Sequence, residues 1–277
     1  VLHLGHPLLL PMTIPAQAIG ERAYSLLSEG KEVRVLGHTS RAIFLEVNGE
    51  VIWLSLPGSA HHRRAIIVPR FPDWPSGSLL SVSGHFLKSD RGILLWKAKV
   101  WQDPRILGYG SNSFAVLRKF RSLTAPAFFL IQRELDEKWV SDFQEAVYKE
   151  DLFPMLERGL GMGPGLTPLA DDVIGGALFA FSVLRPRPKE IDQTFWEKAQ
   201  ERTTTLSVCL LSDFSQGYGP EPLYCFAQAI LNGAEGNAKF WAAKVLELGH
   251  TTGAGLLFGA LSVWSAQAEK GEKHGGP

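Results

Sequence analysis

The sequence predicts an α+β chain: a β-rich N-terminal barrel or sandwich over residues 1–135, then an α-helical half over 136–277 with two buried glycine-containing helices. Three observations carry that reading. Apolar residues alternate with period two from Glu32 to about Leu130. After Asp136 the period becomes 3.6, and two later apolar runs, each interrupted by glycine, follow polar turns.

Taking the elements in order, Ala16–Ser28 reads as one amphipathic helix ending at Glu29-Gly30. Val33, Val35, Ile43, Leu45 and Val47 alternate as strands, and Asn48-Gly49 before Val51–Leu54 predicts a two-residue hairpin, because both turn positions need positive φ. Further strands are expected at Ala65–Val68, Ser78–Ser83, Ile93–Trp101 and Phe128–Ile131. Trp139, Phe143, Ala146 and Val147 share one helical face, and helical runs recur at Leu169–Leu184, Thr194–Phe214, Leu223–Leu231, Lys239–Leu248 and Ala254–Ala268. Arg185-Pro186-Arg187-Pro188 breaks the chain between two of them, and Glu269–Pro277 reads as a frayed tail.

Composition narrows the function. With 28 basic and 28 acidic residues, no global field points to nucleic acid or an anionic membrane. Val173–Leu184 and Ala254–Val263 fall short of the ~18 residues of a membrane span. Cys209 and Cys225 sit in apolar runs, which predicts reduced core thiols and a cytoplasmic location. Leu8–Leu10 followed by Ala16-Gln17-Ala18 loosely mimics a signal peptide, but no basic segment precedes it and Pro11 and Pro15 interrupt it, so it reads as mature sequence. Neither a cofactor motif nor a metal-type cysteine pair is present.

The most informative segment runs from Gly159 to Asp172, GLGMGPGLTPLADD. Four glycines in seven residues permit tight turns and close approach, Thr167 is a sound N-cap, and Pro168 suits the first helical position. Gly175 and Gly176 each sacrifice about 1 kcal/mol of helix propensity, so a backbone or a ligand is expected to come close there. Asp171 and Asp172 read either as exposed complements of the helix dipole or as groups opening into a cleft. The loop is no GxGxxG or Walker motif; its amides and the helix start offer a generic anion site.

A second polar turn, Gly249-His250-Thr251-Thr252-Gly253, opens another apolar helix, and Gly176-Ala177-Leu178 is echoed by Gly259-Ala260-Leu261. If these helices pack through their glycines with N-termini together, His250, Thr251 and Thr252 converge with Thr167 and Asp172; a capping role for His250 is the bland alternative. Arg202-Thr203-Thr204-Thr205-Leu206-Ser207 places Thr203 and Ser207 one turn apart and offers Arg202 for a bidentate anion contact, with helix capping as the alternative. Glu221, in Gly217-Tyr218-Gly219-Pro220-Glu221-Pro222, is a further candidate. His61-His62-Arg63-Arg64 is expected to be a solvated loop, and Gly108–Asn112 lacks the GxSxG elbow.

Gly161–Asp172, Arg202–Ser207 with Glu221-Pro222, and Gly249–Gly253 together resemble the AllH-like family. The resemblance spans roughly 150–265 by motif and the β-rich half by general layout. Where the family commonly has Ser-Gly before Asp-Asp, this chain has Leu169-Ala170. The resemblance implies a subunit of oxamate carbamoyltransferase, which works with two other subunits in anaerobic allantoin breakdown to exchange carbamoyl between oxamate and phosphate. It implies a pocket for carbamoyl phosphate, oxamate or a similar small anion. Gly163, Gly165 and Thr167 then supply amides and a hydroxyl, Arg202 clamps phosphate or carboxylate, Asp171 or Asp172 positions an amide or a metal, and His250 moves a proton. Two other readings stay open: a non-catalytic small-anion-binding or scaffold protein with exposed aspartates, and a metal-dependent hydrolase built on Asp171, Asp172 and His250.

Overall fold

The structure is a computed structural model that describes residues 13–30, 32–104, 106, 125–184 and 193–274. The readings made at Leu8–Pro11, Gly108–Asn112 and Arg185–Pro188 lie outside them. The chain divides into two compact units, 1–102 and 103–277.

Unit 1 holds ten strands and one helix among the described residues: β1 (Thr13–Pro15), β2 (Ala18–Gly20), α1 (Glu21–Glu29), β3 (Glu32–His38), β4 (Ala42–Val47), β5 (Glu50–Ser55), β6 (Ala65–Ile67), β7 (Leu79–Ser83), β8 (Phe86–Lys88), β9 (Ile93–Leu95) and β10 (Lys99–Trp101). They form one mixed sheet in the order β1-β9-β8-β7-β3-β4-β5-β6-β2-β10. Only Ala16 and Gln17 separate β1 from β2, yet the two strands pair at opposite ends of that order, so the sheet must curl into a half-barrel. Inside lie Ile19, Leu27, Val33, Val35, Leu45, Ile52, Leu54, Ile66, Leu80 and Leu94, with Trp74 and Trp96. The expected hairpin is present, with Asn48 and Gly49 at φ 52° and 77°.

Two readings in this unit need correction. The helix expected from Ala16 begins only at Glu21, because Ala18–Gly20 is drawn into the sheet beside β6 and β10, where Gly20 leaves no room for a Cβ against the Arg63 carbonyl. The His61–Arg64 loop is not solvated throughout: His62 and Arg64 are buried, Arg64 donates to Glu50 Oε2 at 2.7 Å, and His62 packs on Trp53.

Unit 2 holds nine helices among the described residues: α2 (Ala125–Glu134), α3 (Glu137–Lys149), α4 (Phe153–Gly159), α5 (Leu169–Leu184), α6 (Gln193–Arg202), α7 (Thr205–Ser215), α8 (Glu221–Leu231), α9 (Glu235–Leu246) and α10 (Thr252–His274). The strand expected at Phe128–Ile131 is part of α2; a short apolar run does not separate strand from buried helix, and here Ile131 turns inward while Phe129 stays exposed. The single helix expected over Thr194–Phe214 is two, broken at Thr203-Thr204, where the Thr204 hydroxyl accepts from the Ser207 amide at 3.1 Å and starts α7. The frayed tail is also overturned, since α10 continues to His274 and Gln267 and Lys270 both donate to Glu150.

At the centre of unit 2, α5 and α10 lie backbone against backbone. A Cβ on Gly259 would stand 1.9 Å from the Val173 carbonyl oxygen, and one on Gly176 would stand 2.2 Å from that of Leu256. Gly255 faces Asp172, Leu169 and Val173, so the two helices run in the same direction with their N-termini together. The close approach expected at Gly175 and Gly176 is therefore made by protein: the Phe214 ring meets the first and the α10 backbone meets the second.

Candidate functional site

The Gly159–Pro168 loop links α4 to α5 through three glycines at positive φ, Gly161 (79°), Gly163 (94°) and Gly165 (115°). Gly161 also abuts the Arg202 carbonyl so closely that no side chain fits. The Ala170 amide donates to the Met162 carbonyl at 3.0 Å, folding the loop back over the start of α5. Gly163, Pro164, Gly165 and Leu166 are exposed. Among the described residues the amides of Gly163, Gly165, Leu166 and Thr167 make no internal hydrogen bond, so they are left for solvent or a ligand.

Both aspartates are buried, Asp171 at 3% exposure and Asp172 at 2%. Surface complementation of the helix dipole therefore does not describe them. Asp171 Oδ1 accepts from the Gly161 amide at 2.8 Å and Oδ2 accepts from the Thr203 hydroxyl. Ser207, also buried, brings its hydroxyl toward the same carboxyl without closing a hydrogen bond. Burial raises the Asp171 pKa, while the donors from Thr203, Gly161 and Ser207 oppose the shift. Asp171 thus binds the loop to the break between α6 and α7.

Asp172 looks the other way, to α10. Its Oδ2 accepts from the Thr167 hydroxyl at 3.2 Å, and the Thr167 and Thr252 hydroxyls meet at 3.1 Å. Burial pushes the Asp172 pKa well up, the Thr167 and Thr252 hydroxyls oppose it, and the neighbouring Asp171 charge adds to it. Thr167 is consequently not the N-cap expected of it: α5 starts at Leu169, and the Pro168 carbonyl takes the Asp171 and Asp172 amides.

The structure brings Thr167, Asp171, Asp172, Thr203, Ser207 and Thr252 into one hydroxyl–carboxylate cluster, and Thr204 joins its rim by donating to the Leu166 carbonyl at 3.0 Å. Thr251 is buried beside Thr252, and its carbonyl accepts the Gly255 amide at 3.0 Å. Arg202 is exposed at the end of α6, with its carbonyl against Gly161. His250 is exposed in the turn before α10 and makes no hydrogen bond or ion pair among the described residues. Glu221 is not drawn in by these contacts: its turn packs through Gly219 on Phe179, about two helical turns past Asp172 along α5. No group of three or more metal-ligating side chains forms among the described residues, so Asp171, Asp172 and His250 make no metal centre there.

Sequence reasoning missed the Gly161 amide, the Leu166 carbonyl, and Gly255 as the point where α10 touches the Asp172 side chain. Gly255 carried a readable signal, since Gly255 and Gly259 are four residues apart and so mark one face of the helix.

Fold and cluster define a class: a helical unit in which two parallel, glycine-notched helices start beneath a glycine-rich loop, tied there by threonines and paired carboxyls. Over residues 159–264 the chain matches the model of the AllH family, described as oxamate carbamoyltransferase subunit AllH. The matched stretch opens at the loop and closes in α10, so it frames this cluster. No solved structure matches the chain.

Among the described residues, no helix is long and apolar enough to cross a membrane. Cys209 and Cys225 are not disulfide-bonded, and Cys225 has its pKa raised by burial and by the Glu221 charge.

Proposed function

We propose that this chain is a subunit of a carbamoyltransferase-type enzyme that binds a small anion, such as carbamoyl phosphate, oxamate or phosphate, at the glycine-rich loop and the first turns of α5, α7 and α10. The observation that carries the reading is the row of unpaired amides at Gly163, Gly165, Leu166 and Thr167, set within the AllH-matched stretch. Amides on an exposed glycine loop beside helix N-termini favour an anion, and the same donors stabilise the negative charge that develops on a carbonyl oxygen during acyl-type transfer.

In this reading Gly163 and Gly165 cradle the anion, and Arg202 swings over it as a bidentate clamp. Thr204, Thr251 and Thr252 line the approach. Asp171 and Asp172, with Thr167, Thr203 and Ser207, hold the loop and helix starts in place and orient the amide of the carbamoyl group. His250 moves the proton, and Glu221 borders the site from α8. The family description supports partner subunits, and the reaction class supports a place in allantoin breakdown in the cytoplasm. A second reading, a non-catalytic anion-binding or scaffold subunit, is favoured by one observation: both carboxyls already have partners within the chain.

The test is thermal stabilisation of the chain by carbamoyl phosphate, oxamate and phosphate. At a concentration one hundred times Kd, binding adds about 2.7 kcal/mol, or roughly 5–10 °C for a unit of this size. Arg202→Ala should remove the shift. The absence of any shift, for the chain alone and for the chain reconstituted with partner subunits, refutes the anion reading. A shift without carbamoyl transfer in the reconstituted complex leaves the scaffold reading.

A further inference from the structure

We propose that Thr204 is a positioning residue for the anion cradle: its hydroxyl holds the Leu166 carbonyl and so aims the next amide, Thr167 N–H, away from α7. This deepens the proposed function and rests on that reading. Thr204 is the N-cap of α7, and its hydroxyl oxygen accepts from the Ser207 amide at 3.1 Å. The same hydroxyl donates to the Leu166 carbonyl at 3.0 Å, across 38 residues of chain. Because its oxygen takes the Ser207 amide hydrogen, its single hydrogen is free to go to Leu166, and both contacts are filled. With that hydrogen committed, Thr204 has no donor left for an anion, so it acts on the ligand through the loop.

What Thr204 holds has little else to fix it. Among the described residues no other group hydrogen bonds Leu166. The Leu166 side chain is 55% exposed, so packing does not hold it, and Gly165 before it lies at φ 115°, a region that glycine enters without steric cost. The first half of the loop is anchored from α5, where Asp171 accepts the Gly161 amide and the Ala170 amide reaches the Met162 carbonyl. The second half hangs on Thr204 until Thr167, whose hydroxyl is engaged by Asp172 and Thr252.

Peptide geometry turns this tether into an aim. No cis peptide bond occurs among the described residues, so the Leu166 C=O and the Thr167 N–H point in opposite directions across one rigid plane. Pro168 confines Thr167 to extended backbone, which narrows the swing of that plane without fixing it. The bond from Thr204 fixes it. Residues 202–204 thereby grip the loop at two points: the Arg202 carbonyl abuts Gly161 so closely that no Cβ fits, and Thr204 holds Leu166. One three-residue stretch thus sets Arg202 against the loop, and Gly163 and Gly165 lie in the span between the two grips.

The experiment titrates inorganic phosphate into the full chain labelled with ¹⁵N-threonine, and into Thr204→Ser, Thr204→Val and Thr204→Gly. Serine keeps both bonds. Valine keeps the shape and loses both. Glycine caps a helix nearly as well without a hydroxyl, so it spares α7 and removes the tether alone. Calorimetry should give an unchanged Kd for Thr204→Ser and a Kd raised about three- to tenfold for Thr204→Val and Thr204→Gly, the worth of one neutral hydrogen bond. Melting should separate the last two, with Thr204→Val falling by about 2–4 °C and Thr204→Gly by under about 2 °C, so that affinity follows the hydroxyl while stability follows the cap. In the spectra of the free chains, the Thr167 amide should be displaced in Thr204→Val and Thr204→Gly and unmoved in Thr204→Ser. Phosphate bound as tightly by Thr204→Val and Thr204→Gly as by wild type, an equal loss in Thr204→Ser, or a Thr167 amide unmoved in every variant overturns the assignment. If Thr204→Val does not fold, Thr204→Gly carries the same comparison. If wild type binds no phosphate while the Thr167 amide is displaced in the variants that lack the hydroxyl, the tether stands and the anion reading is what fails.

Discussion

Gly259→Ala gives the sharpest test of the helix pair that organises unit 2. In an ordinary helix the change gains about 1 kcal/mol of propensity. Here the new Cβ would lie 1.9 Å from the Val173 carbonyl oxygen and 2.8 Å from the Ala177 nitrogen, and both are backbone atoms that cannot rotate away. Relief requires α5 and α10 to part by about 1 Å, a gap that forfeits a quarter to a half of the dispersion attraction across the seam. Overpacking of this kind costs about 1–3 kcal/mol, and the backbone-on-backbone clash puts this site at the upper end, so a net loss of up to about 2 kcal/mol is expected after the propensity gain. For a unit of this size that is a fall of roughly 4–8 °C in Tm. The internal control is Gly236→Ala in α9, where a Cβ meets nothing within 4 Å and stability should rise by up to about 1 kcal/mol. Differential scanning calorimetry of the two variants decides the matter: if Gly259→Ala is as stable as wild type, the backbone-to-backbone seam is wrong.

Two further outcomes follow from the same coordinates. Burial by itself would raise the Glu50 pKa, but hydrogen bonds and charge from Arg22 and Arg64 overcome it and hold the pKa below the ordinary value. Its stabilisation is therefore complete at neutral pH and lost as pH falls through the lowered folded value, and Glu50→Gln, which leaves the buried Arg64 short of its counter-charge, should cost unit 1 about 1–3 kcal/mol at pH 7 in a urea titration, with the difference shrinking in acid. Gly165→Ala places a side chain at φ 115°, so it should cost about 1–3 kcal/mol of backbone strain in the loop and weaken phosphate binding more than overall stability, as read by calorimetric titration beside melting; unchanged binding counts against the loop as the anion cradle.

Much of the architecture was legible because it obeys simple periods. The apolar run Leu169–Leu184 was legible as a helix, although its start lies one residue past the Pro168 expected at the first helical position. The Asn48-Gly49 hairpin followed from the one turn type that fits two positive φ values. What escaped were the places where tertiary partners outbid local preference. Ala18–Gly20 looks helical by composition but fills a gap in the sheet beside β6 and β10. Thr167 looks like an N-cap, yet its hydroxyl turns to Asp172 and Thr252, partners that only the packing of α5 on α10 brings within reach. The break at Thr203-Thr204 is the same lesson inverted, for both hydroxyls leave the helix ladder to serve Asp171 and the start of α7. For the candidate site, the residue types and the meeting of two helix starts were readable, while the division of labour between the two aspartates required coordinates.

The ends of the curled sheet are joined by two short stretches, 13–20 and 93–101, that run side by side although some 75 residues separate them in the chain. β1 has no partner until β9 is made and β2, though it can pair β6 earlier, keeps its other edge open until β10 is made, so during synthesis these edges emerge uncapped. Such late, long-distance stitching slows folding and lengthens exposure to aggregation. A truncation before Ile93 should therefore be handed to chaperones and proteases, while a cut just after Gln102 should release a piece whose every seam is already sewn.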